Sequence, residues 1–92
     1  MNIDLLNATC KDATRNAFEE FKRQIDVRLF PFDEDLKENL QKQMLEQIGQ
    51  KVIKTMFKYD VNEMKLKVID KYLSYYTNIA LKTSNNYSKK YL

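Results

Sequence analysis

The stretch RLFPFDEDLKENL, residues 28–40, decides how the chain is laid out, because it holds the single proline beside two phenylalanines and a run of acids. Proline locks its own φ and disfavours helical geometry at the residue before it, so a helix arriving from the N-terminus has to be left by Phe30. Asp33 then stands where an N-cap belongs. Glu34 and Asp35 fall in the first turn that follows, where carboxylates meet the positive end of the helix dipole. Phe32 and Leu36 or Lys37 lie at about the spacing of a hydrophobic staple, which sets the angle at which the chain enters a helix. A calcium-binding loop would need a glycine at its sixth position and a closing glutamate, and neither is present. The stretch predicts a structural corner between two helices.

On its N-terminal side, Leu6, Cys10, Ala13, Ala17, Phe21, Ile25 and Leu29 recur at steps of three and four, with Phe18 widening the stripe. That spacing predicts a helix over about 2–29, and the alanines let a neighbouring helix come close. On its C-terminal side, Leu36, Leu40, Met44, Ile48, Val52 and Met56 repeat every four residues, beside a second row of Leu45, Ile53 and Phe57. This predicts a helix over about 33–58 with an apolar face broad enough for two neighbours, or for one neighbour and a partner protein. Gly49 inside it costs about 1 kcal/mol relative to alanine and is a candidate for a close helix crossing.

A second corner is expected at YDVNE, residues 59–63, where Asp60 and Glu63 have capping-box spacing. The third helix is expected over about 61–82. Its apolar positions are Met64, Val68, Tyr72, Tyr75 and Ile79, with Ile69, Leu73, Tyr76 and Ala80 alongside. The last ten residues, TSNNYSKKYL, are polar without a helical period and read as a flexible tail.

Ninety-two residues make one domain, and one glycine and one proline leave little for a sheet built from tight hairpins. The expected fold is all-α. It is a single helical domain over 1–82, either a three-helix antiparallel bundle or an open helical array, followed by a polar tail over 83–92.

The composition also removes most chemistry. Without histidine the commonest general base and metal ligand is missing, and one cysteine cannot build a zinc site. A single glycine excludes the glycine-rich phosphate loops. Cys10 lies on the apolar stripe and reads as a small core residue. Glu19 and Glu20, adjacent on a helix, point different ways and form no acid–base dyad. No enzyme, cofactor or metal is expected. No apolar run reaches the length of a membrane span. The lone cysteine and the absence of a secretory signal suit an intracellular protein, soluble or complex-bound, with a mitochondrial location left open.

Charge is divided along the chain. Residues 1–50 carry −3 and residues 51–92 carry +6, with nine lysines and no arginine in the second half. Lysine interleaved with tyrosine has a structural reading, a solvated helix face edged by half-buried rings, and a functional one, contact with phosphates and bases. Candidate partner contacts are Phe30, Phe32, Tyr72, Tyr75, Tyr76, Tyr87 and Tyr91, since aromatic rings are favoured at interfaces. Candidate anion contacts, for a nucleic acid or an anionic lipid surface, are Lys65, Lys67, Lys71, Lys82, Lys89 and Lys90.

The run CKDATRNAFEEFKRQ, residues 10–24, followed by FDEDLKENLQKQMLEQI, residues 32–48, resembles the helical region of guanylate-binding proteins and their atlastin relatives. There, a helix with an alanine–phenylalanine core row turns into a long charged helix. The resemblance extends over residues 10 to about 70. The chain holds no GTPase domain and no nucleotide motif, so the resemblance implies a detached helical module. From the residues themselves, the leading expectation is a non-enzymatic helical protein-interaction module, a small structural or accessory subunit of a larger assembly. The rival expectation is a binder of nucleic acid or an anionic surface through the lysine- and tyrosine-rich second half.

Overall fold

A computed structural model describes residues 3–27, 31–59 and 63–92, with side chains described at all of these except 59 and 63–65. Helix α1 spans Ile3–Asp26, α2 spans Glu34–Met56 and α3 spans Glu63–Ser88. Single 3-10 turns extend α2 at Phe57–Tyr59 and α3 at Lys89–Tyr91. No strand occurs among the described residues. The fold is an all-α three-helix bundle, measuring 45 × 19 × 18 Å. Its radius of gyration, 14.5 Å, exceeds the roughly 12 Å typical of a globule of this length. The molecule is a slender rod.

The first corner forms as its residues dictate. Asp33 is extended, at φ −126° and ψ 176°, and its carboxylate accepts a hydrogen bond from the Leu36 amide at 2.8 Å. Phe32 and Leu36 are both half-buried and pack against the core, one on each side of the cap. Helix α1 ends at Asp26, three residues before the expected boundary. Leu29 and Phe30 lie outside the described residues, as does Asp60 of the expected capping box.

Packing follows an up-down-up course. Phe21 and Gln24 share a groove with Leu40 and Gln43, while Ala13 and Ala17 share one with Gln47, Gln50 and Lys54, so α1 and α2 run antiparallel. Gln41 at the start of α2 bonds Ser84 near the end of α3, and Met56 meets Ile69 at the opposite end. The core is one row per helix. Leu6, Cys10, Ala13, Ala17, Phe21 and Ile25 supply it from α1, and Leu40, Met44, Ile48, Val52 and Met56 supply it from α2. Both rows were legible in the spacing.

The α3 row differs from expectation. Ile69, Tyr76 and Ala80 are buried, and the row continues through Ser84 and Ser88, both fully buried. Tyr75 and Ile79, assigned to the main stripe by the spacing, face outward. The expected end of the helix at residue 82 is corrected for the same reason. Residues 83–88 are helical and 89–91 form a 3-10 turn, because small serines let the polar segment lie flat against α1 and α2. The polar tail is the last turns of the bundle.

Gly49 also departs from expectation. A methyl group built there meets nothing within 4 Å, so no helix crosses close to it.

Candidate functional site

The middle of the rod is an apolar core, and the polar joints and exposed side chains lie at its ends and on its outer faces. At the end where α1 stops, polar groups do the joining. The phenols of Tyr87 and Tyr91 both donate to the Asp26 carboxylate, at 2.7 and 2.8 Å. These bonds, Tyr87 foremost, hold the Asp26 carboxyl below its ordinary value, and the same carboxylate pushes the Tyr87 phenol well up. Tyr87 stands edge-on to Phe18 at 6.0 Å between centroids, and Tyr91 stands edge-on to Phe32 at 6.3 Å. The Lys22 ammonium lies 5.0 Å from the Phe18 centroid and that of Lys90 lies 4.2 Å from the Tyr87 centroid. Deeper in, the Gln41 amide donates to Ser84 Oγ at 2.9 Å and to Asn85 Oδ1 at 2.8 Å, a buried cross-link between α2 and α3.

These contacts sort the candidate aromatic residues. Phe32 and Tyr87 are half-buried and packed inside the bundle, as is Tyr72. Tyr76 is 7% exposed, and its phenol donates to Asn7 Oδ1 at 2.5 Å, with burial raising its pKa. Tyr76 is therefore corrected from a surface contact to a joint between α1 and α3. Tyr91 keeps part of its ring in solvent while its hydroxyl is engaged. Tyr75 alone of the described set is widely open, at 62%, with its ring edge-on to Tyr76 at 5.2 Å. Phe30 lies outside the described residues.

The lysines separate likewise. Lys67, Lys71, Lys82 and Lys89 are exposed on the outward side of α3. Lys90 is exposed but turned to the tyrosine cluster, over Tyr87 and Tyr91. The Lys65 side chain is outside those described. Ion pairs lie on α1 and α2, as in Arg23–Glu20 at 2.6 Å, where Arg23 and then Gln24 bring the Glu20 carboxyl down to about 2. No such pair forms on α3 among the described residues.

A feature the sequence pattern did not single out lies at the other end. Ile53, Met56, Phe57, Leu66 and Ile69 line a shallow depression between the end of α2 and the start of α3. Met56 and Ile69 form its buried floor, while Ile53, Phe57 and Leu66 are exposed, Phe57 at 58%. The sequence signal was the second apolar row of α2, which runs past the surface its neighbours cover.

Cys10 is fully buried, and burial pushes its thiol up to about 11, so it stays protonated at neutral pH. Among the described residues no cluster of acids and cysteine has the arrangement of a metal site. No described helix is long and apolar enough to cross a membrane. Comparison with protein-family models, curated proteins and solved structures finds no match to the chain.

Proposed function

We propose that the protein is a non-enzymatic helical interaction module, which acts by seating a partner protein at the α2–α3 end of the rod. The observation that supports this is the exposed trio Ile53, Phe57 and Leu66 around the Met56–Ile69 floor. Large apolar side chains exposed singly are ordinary, whereas three gathered round a depression form the kind of centre on which an interface is built. Burying one such side chain is worth about 1.5–3 kcal/mol, so a partner helix that covers all three gains a hydrophobic anchor. The polar joints at the opposite end hold that end closed and leave the apolar end as the docking face.

The test compares the wild-type chain with Phe57→Asp/Leu66→Asp, each expressed at native abundance in its source cells and followed by native size-exclusion chromatography. The wild type should elute in a larger assembly and the variant as a monomer, with equal helical circular dichroism. A wild-type chain that elutes alone overturns the reading.

A further inference from the structure

The outward side of α3 carries a second, chemically different surface. Lys67, Lys71, Tyr75, Asn78, Lys82 and Lys89 follow one another at steps of four, four, three, four and seven, which keeps them on a single ridge of a helix. All of them are exposed. From Lys67 to Lys89 the ridge is about 33 Å long at 1.5 Å per residue. Among the residues with described side chains, the acids near it are Asp70 on its flank and Glu34 of α2, which borders the same surface hollow as Lys82 and Lys89 and is paired at 3.4 Å with Lys37. Among the residues with described side chains, no lysine of the ridge has an acidic partner.

We propose that this ridge docks a single-stranded nucleic acid, through phosphate contacts from Lys67, Lys71, Lys82 and Lys89 and base stacking on Tyr75. Three features favour that partner over other polyanions. The charge is drawn out as a line, which matches a chain of phosphates better than a flat surface. Between the lysines stand Asn78 and Tyr75 where an anionic bilayer would need apolar side chains to insert, or an acidic helix an apolar seam to bury. The Tyr75 ring is held in place, edge-on to Tyr76, which is itself tied to Asn7 of α1, so a stacking face is ordered before any ligand arrives. Lysine in place of arginine makes the contacts point charges without bidentate base reading, so binding is indifferent to sequence. This surface is separate from the apolar depression, and neither proposal rests on the other.

The experiment is fluorescence anisotropy of the full chain with a labelled oligothymidylate over a salt series. Four engaged lysines on a single strand give a slope of log affinity against log salt of roughly −3. Lys71→Gln/Lys82→Gln should halve that slope. Tyr75→Ala should weaken binding about tenfold with the slope unchanged, and Tyr75→Phe should restore it. Both sites are exposed, so helical circular dichroism should not change. Absence of binding at low salt overturns the proposal, as does a Tyr75→Ala variant that binds like the wild type. Equal affinity for duplex DNA, for phosphatidylserine vesicles or for polyglutamate also overturns it and gives the ridge to that partner instead.

Discussion

The two ends of this rod are closed by opposite chemistry. At the α2–α3 end, Met56 and Ile69 meet in an apolar floor that leaves Ile53, Phe57 and Leu66 in water. At the other end, α3 is fastened to α1 and α2 by Asp26, Gln41 and a cluster of phenols, with serines where a core would carry leucines. Apolar contact is non-directional and can be shared with a partner. Hydrogen bonds to a particular carboxylate or amide fix one geometry and are lost if either side is missing. The polar end specifies how the helices align, and the apolar end is where contact with another molecule would be favourable.

The contrast is tested first against the middle that both ends depend on. Ile48 is fully buried among the three helices, and Ile48→Ala should cost about 2–5 kcal/mol in urea unfolding, because no neighbour can close the cavity without moving a helix. A smaller loss is expected at the polar end. Gln41→Ala leaves the Ser84 hydroxyl and the Asn85 carbonyl without their donor and should cost about 1–3 kcal/mol, with faster amide exchange over residues 81–88. Gly49→Ala should act in the opposite direction, stabilising by about 1 kcal/mol, since the added methyl meets only open space. If that variant is destabilised, α2 has a close neighbour at Gly49 after all. Phe57→Ser should shift stability by less than about 0.5 kcal/mol, as expected for an exposed surface site.

The smallest effect is the pH response of the polar end. Asp26 has its pKa lowered in the folded chain, so its contribution to stability is present above the ordinary carboxylate range and is lost as pH falls through the lowered folded value. Tyr87 is shifted upward, so its contribution is present below its ordinary value of 10 and is lost as pH rises through the raised folded value. Amide exchange over residues 84–91 should therefore be slowest between those limits and quicken at either extreme. Asp26→Asn should abolish the acid limb, and an unchanged acid limb in that variant would remove Asp26 from its assigned place.

Sequence and structure agree best where a helix has one apolar row and nothing competes with it. The Asp33 cap, the α1 row from Leu6 to Ile25 and the α2 row from Leu40 to Met56 were legible because N-capping and a steady step of three or four are local physics. Helix α3 was harder because it carries two rows of comparable apolarity. One runs through Tyr72, Tyr75 and Ile79, and the other through Ile69, Tyr76 and Ala80. Local spacing cannot rank them. The second faces inward because Ser84 and Ser88 continue it, which allows close approach along the full length of the helix.

Among the candidate site residues, the exposure of Tyr75 and of the α3 lysines follows from that choice of row, and so does the withdrawal of Tyr76 into the bundle. The sequence by itself determined the helices, the corner at Pro31 and the division of charge, because each depends on neighbours along the chain. Only the tertiary structure decided which face of α3 is hidden, that the last ten residues close the bundle through Asp26 and Gln41, and that three apolar side chains at the α2–α3 end stay uncovered. Those outcomes depend on partners dozens of residues away, which no local pattern encodes.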